Sequence, residues 1–211
     1  MSQNFALSGR NVLETAIRET ACLFANPMYR DAIEGKPFFT KEWFGRFLVD
    51  WKVARSIDKD RQTMAYDFLR NELTSIHGKI DPDKISDIAV ALKNKCISAR
   101  CGSNGPQRVL PLSLTSKVAY FFFPLTMCPY DKYAFNSLKK RMRHHEDRPR
   151  YHDYVSYVNS FNLLFSSVEG EIAAATRLEC SRSSYPLPDA LTGNVAVHRK
   201  ILDQMLVIEG R

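Results

Sequence analysis

A chain of 211 residues, 45% apolar and 25% charged, can build one substantial hydrophobic core or two small lobes sharing a cleft; this excludes a disordered polymer and an array of independent domains. Lysine and arginine outnumber aspartate and glutamate 30 to 23, and the resulting charge of +7 favours an anionic partner, nucleic acid before an anionic membrane surface. The longest apolar stretch, 118–127, is about half of what a bilayer requires and contains Pro124, so no membrane span is expected.

The first twenty residues mix Arg10, Glu14, Arg18 and Glu19 with apolar positions, unlike a secretory or transit segment. Five cysteines (Cys22, Cys96, Cys101, Cys128 and Cys180) lie at irregular spacings without a CxxC pair, which argues against a zinc ribbon or a cysteine-ligated cluster and for reduced thiols in a cytoplasmic protein.

Helical periodicity runs through the chain. Residues 5–32 carry Val12, Ala16, Ala21, Leu23 and Phe24 at helical spacing and end near Asn26-Pro27. Residues 40–57 place Trp43, Phe44, Phe47, Leu48 and Trp51 on one stripe behind Thr40, a residue type that caps helices. Residues 60–77 repeat the pattern with Met64, Phe68, Leu69 and Leu73, closed by Gly78. Asp81-Pro82-Asp83 is a capping aspartate followed by proline at a first helical position, and opens a helix to about residue 100. A loop at 101–106 follows, then short helices at 113–123 and 131–143, a charged run, a long amphipathic helix at 151–178, a proline-containing loop at 181–189 and a last helix at 190–207. No alternating strand pattern and no repeat is present. The expectation is an all-α protein of about eight helices, a single unit over 1–211 in which two small lobes flank a cleft, with the chemistry in 108–145. The closing Ile208-Glu209-Gly210-Arg211 spells a factor Xa cleavage sequence, native or the scar of a removed tag, and is set outside the functional reading.

Two residues carry the chemistry. Lys117 is expected in the first turn of its helix, after Ser113, Thr115 and Ser116, where the positive end of the helix dipole and burial between Leu114 and Val118 both favour the neutral amine. A neutral lysine can attack a sugar carbon and form a Schiff base. Asp131 follows the Pro129-Tyr130 turn and is placed to cap the next helix, where amide N–H groups hold a carboxylate.

The strings Ser116-Lys117-Val118-Ala119 and Pro129-Tyr130-Asp131, the latter leading into a helix, resemble the signature of the helix-hairpin-helix DNA glycosylases of the endonuclease III and 8-oxoguanine glycosylase types. The resemblance covers about 35 residues, and the all-helical remainder is compatible with it. It places Lys117 on the family's nucleophilic lysine and Asp131 on its aspartate. Leu110-Pro111-Leu112-Ser113-Leu114 has no glycine where the family's hairpin is Leu-Pro-Gly-x-Gly, so phosphate binding falls to Ser113, Thr115 and Ser116. The cluster-binding cysteines of the endonuclease III type are absent.

The resemblance implies removal of a damaged or modified base flipped out of double-stranded DNA, with strand cleavage through a Lys117 imine, in repair; the departures from the family, the missing glycines and cluster, leave room for unusual bases such as those of phage DNA, and so for a role in defence. Tyr120, Tyr130 and Tyr133 are the expected base pocket, while Phe121 to Phe123 read as core. The run 139–150 holds six basic residues against two acids; with Lys132, the residues Lys139, Lys140, Arg141, Arg143, Arg148 and Arg150 are the expected phosphate contacts. His144, His145 and His152 lack the spacing of a metal site, and neither metal nor cofactor is expected. The enzyme is expected to act as a monomer. The competing readings are a non-catalytic helical nucleic-acid-binding protein and a helical interaction module with a basic face.

Overall fold

The structure is a computed structural model that describes residues 9–53, 57, 59–78, 80–96, 111–182 and 188–211. Among these residues are ten α-helices, one 3-10 turn at Lys59–Arg61 and no strand. The fold is all-α, with two helices more than periodicity suggests. The expected loop at 101–106 and the first eight residues lie outside the described residues.

The extra helices arise where capping residues interrupt an apolar pattern. The first predicted helix is two, α1 (Arg10–Ala25) and α2 (Pro27–Ile33). Pro27 forces the preceding residue out of the helical region, and Asn26 at φ −73°, ψ 117° uses its side chain to accept the Met28 N–H. The last predicted helix is likewise divided, into α9 (Asp189–Thr192) and α10 (Val195–Gly210), with Asn194 accepting the Ala196 N–H. Helix α3 (Lys41–Asp50) starts at Thr40, whose hydroxyl accepts the Trp43 N–H at 3.1 Å. It stops seven residues before the predicted end, and Lys52 behind it takes a left-handed φ of 54°. The remaining helices are α4 (Gln62–Thr74), α5 (Pro82–Cys96), α6 (Leu112–Phe122), α7 (Lys132–Arg141) and α8 (Tyr154–Arg182).

One continuous core of buried residues runs from Ala16 to Leu206. Helix α10 is packed by α7, α1 and α8, while α3, α4 and α5 pack in succession and α6 joins this second group through α5, α4 and α2. Tyr120 ties the groups together: it is fully buried on α6 and its hydroxyl donates to the Ala196 carbonyl at the head of α10, at 2.8 Å. Aromatic packing fixes α3 to α6, with the Trp51 ring 5.3 Å from Phe121 at 78° and stacked on Phe47 at 5.4 Å. Fully buried rings of this size each contribute about 1.5–3 kcal/mol. This brings Trp51, immediately after α3, beside the face of α6 that carries Lys117.

Candidate active site

Lys117 is the sixth residue of α6 and therefore sits in its second turn, not the first. The dipole argument weakens accordingly, and burial takes its place: the residue is 8% exposed, and desolvation pushes the amine below the ordinary lysine range. Asp131 and Asp203 oppose this shift, and the positive charge of Lys200 adds to it.

The Lys117 amine stands 3.4 Å from Asp131 Oδ2. That is long for a charged N–H···O contact, which marks a pair in proximity without a tight bridge. The two oxygens of Asp131 divide their work: Oδ1 accepts the Tyr133 N–H at 2.9 Å and caps α7, while Oδ2 faces the amine. The turn that delivers Asp131 is pinned at three successive residues. Tyr154 donates its hydroxyl to the Cys128 carbonyl at 2.7 Å, and Tyr157 donates to the Pro129 carbonyl at 3.1 Å. The Tyr130 N–H donates to Ser116 Oγ at 2.9 Å. These bonds hold the carboxylate before any ligand arrives, as electrostatic preorganisation demands.

The pair opens onto a cleft of about 710 Å³, within the range of small-molecule sites. Its walls come from Glu19, Thr20 and Leu23 of α1, from Asp50 to Val53 at the end of α3, and from Ser113 and Lys117 of α6. Asp131 and Tyr133 supply a third side, and Lys200, Asp203, Gln204 and Val207 of α10 with Arg211 a fourth. Lys200 is 6% exposed, bonded to Asp203 Oδ2, and places its ammonium 4.4 Å from the centre of the Trp51 ring. Asp203 is 1% exposed, and burial drives its carboxyl above the usual range against the pull of Lys200 and Lys117. Asp203 Oδ1 and Thr20 Oγ1 are buried behind the wall of this cleft without a hydrogen-bond partner.

Other expected site residues fall elsewhere. Ser113 lines the cleft, but Thr115 and Ser116 are fully buried and use their hydroxyls inside the protein, Thr115 on the Pro111 carbonyl and Ser116 on Ser113 and Tyr130. They are scaffold, not phosphate ligands. Tyr120 is core, as its bond to Ala196 requires. Tyr130 is 8% exposed among Phe135, Tyr154 and Tyr157, and does not line the cleft; Tyr133, 45% exposed, does.

Lys132, Lys139, Lys140, Arg143, Arg148 and Arg150 are exposed, although Arg150 is engaged by Asp153 at 3.1 Å, and none of them lines the cleft. Arg141 is instead structural: it makes a two-pronged bond to Glu209, at 2.6 and 2.9 Å, which Ser137 also joins. The closing four residues are thus part of the fold, and a Cβ on Gly210 would come within 2.0 Å of the Tyr133 carbonyl oxygen.

Thr20, Trp51, Lys200 and Asp203 were not legible as site residues. The available signal was His198-Arg199-Lys200 with Asp203 one turn on, between apolar residues of the last helix, where three consecutive polar residues span about 200° and cannot all face water.

Cys22, Cys96 and Cys128 are free thiols, and among the described residues no group of three or more His, Cys, Asp or Glu could hold a metal ion. No described helix is long and apolar enough to cross a membrane. Comparison of the chain with protein-family models, with curated proteins and with solved structures finds no match.

Proposed function

We propose that the chain is a DNA glycosylase that removes a damaged or modified base extruded from duplex DNA, with Lys117 as nucleophile and Asp131 as the carboxylate beside the sugar. The observation that carries the reading is the 3.4 Å approach of the Lys117 amine to Asp131 Oδ2 on the wall of the cleft. An amine disposed by burial to lose its proton and a carboxylate anchored independently of it are the two groups that glycosidic cleavage with Schiff-base formation needs.

In the proposed reaction the lone pair of Lys117 Nζ bonds to the sugar C1′ as the C1′–N bond to the base breaks, and the base leaves with the bonding pair and takes up a proton. Asp131 stabilises the positive charge that develops on the sugar and accepts the proton released from the attacking nitrogen. Expulsion of the ring oxygen, with its protonation, then gives an imine. Removal of a C2′ proton from that imine expels the 3′ phosphate and cuts the strand. Trp51 and Tyr133 at the cleft offer aromatic surface to the base. The exposed Lys132, Lys139, Lys140, Arg143 and Arg148 supply phosphate contacts beside α7.

The test is borohydride trapping on duplexes carrying oxidised, alkylated, deaminated, abasic or phage-type hypermodified bases. A covalent protein–DNA adduct that maps to Lys117 and vanishes in Lys117→Ala, with DNA binding retained, supports the reading. Absence of adduct and of base release across the panel rejects it.

A further inference from the structure

Two lysine amines share the cleft, and they are held differently. Lys117 has one loose contact, 3.4 Å to Asp131. Lys200 is gripped by the Asp203 carboxylate one turn along α10 and by the face of Trp51, which is itself packed by Phe47, Phe121 and Tyr29. Both lysines are nearly sealed from water, at 8% and 6% exposure, and so is Asp203 at 1%. Inside such a site charges are weakly screened, so each group feels the others.

A buried carboxylate without a partner would draw in any reachable amine. Asp203 is in electrostatic contact with Lys117, raising its affinity for a proton, while Lys200 acts on Lys117 in the opposite sense. The other charged groups at the cleft are engaged elsewhere or lie at its rim. Glu19 of α1 is bonded to Gln204, and Asp50 of α3 receives the Tyr29 hydroxyl and Arg46. Lys52 and Arg211 are exposed at the mouth.

Resting on the reading of Lys117 as the nucleophile, we propose that Lys200 is a positioning residue for it: by occupying Asp203, Lys200 leaves the Lys117 amine directed at Asp131 and free to attack. Without Lys200, Lys117 would sit between Asp131 and an unpaired Asp203 and be retained there as a bridging cation. The arrangement commits one cation to keeping a neighbouring amine reactive, the logic by which an adjacent positive charge activates a lysine nucleophile.

The test uses the DNA-free protein, so that its failure is separable from failure of the glycosylase reading. Trace acetic anhydride labels unprotonated amines, and peptide mass spectrometry compares Lys117 with the exposed Lys139 across a pH series. In Lys200→Met the profile of Lys117 moves to more alkaline pH and its labelling at neutral pH drops about tenfold, with Lys139 unchanged; Lys200→Arg, which keeps the charge, stays within about twofold of wild type. Should Lys200→Met not fold, Lys200→Gln carries the test, since its amide can still bond Asp203 without supplying charge. An unshifted Lys117 profile in the folded Met or Gln variant overturns the proposal, as does a Lys117 that labels at no pH. A shifted profile with no DNA adduct in trapping leaves the poised amine standing and removes DNA as its target.

Discussion

Ser116 Oγ accepts the backbone N–H of Tyr130 at 2.9 Å, so the residues immediately before Lys117 and before Asp131 are bonded to each other. The bond is buried and joins the interior of α6 to the turn that feeds α7. It sets how far apart the amine and the carboxylate stand. Ser116→Ala leaves that N–H unsatisfied, and the expected loss is about 1–3 kcal/mol by urea denaturation. Adduct formation should fall as well, because small displacements of reacting groups are costly to rate. A variant that loses stability but keeps full trapping would show that this bond does not align the pair.

Asp131 has two separable duties, which predicts that two substitutions behave differently. An asparagine at this position would still accept the Tyr133 N–H, since asparagine caps as well as aspartate, so Asp131→Asn is expected to unfold within about 0.5 kcal/mol of wild type. Asp131→Ala loses the cap and about 1 kcal/mol. Base release should drop by about 100-fold or more in both, because neither supplies the charge. Equal stability losses would deny the capping role, and a fully active asparagine variant would deny the electrostatic one.

The depressed proton affinity of Lys117 also has a signature in stability. In the window between its lowered folded value and the ordinary lysine value of 10.5, the unfolded chain holds the extra proton, so this residue makes stability rise with pH there. Below that window the buried charge is a full burden on the fold. The stability of Lys117→Met relative to wild type should therefore be highest at neutral pH and decline as the pH approaches 10.5. Thermal unfolding followed by circular dichroism at several pH values reads this directly, and a constant or growing difference would contradict it.

On the glycosylase reading, the basic residues of the 139–150 run divide into an anchor, Arg141, and proposed phosphate contacts. Glu209→Ala breaks the bidentate bond to Arg141 and is expected to cost about 2–3 kcal/mol while leaving the salt dependence of DNA binding unchanged. Lys139→Ala and Lys140→Ala should leave stability nearly intact and each lower the slope of log affinity against log salt by about 1. Fluorescence anisotropy over a salt series distinguishes the two groups.

Local features were readable from the chain because their causes are local. The caps at Thr40, Asp81 and Asp131 satisfy an N–H two or three residues downstream, and each was visible as a residue type before an apolar period. The helix end near Asn26-Pro27 was visible in the proline, whereas the short α2 behind it and the break at Asn194 were missed because the apolar spacing continues across both and capping chemistry outweighs it. Tyr120 and Tyr130 were misplaced for another reason: adjacency in sequence to Lys117 or Asp131 says nothing about which face turns toward α8 or α10. Thr20, Trp51, Lys200 and Asp203 reach the cleft only through packing between distant elements, and no local pattern marks that destination.

Glu19 and Gln204 hydrogen-bond across the same cleft that Lys117 enters, so its walls join the first described helix to the last. A partly folded chain, or one cut in a connection between those helices, exposes Lys117 to water as an ordinary ammonium. The lowered proton affinity of the Lys117 amine is therefore a property of the finished tertiary structure, and an immature or cleaved molecule carries only an ordinary lysine at that position.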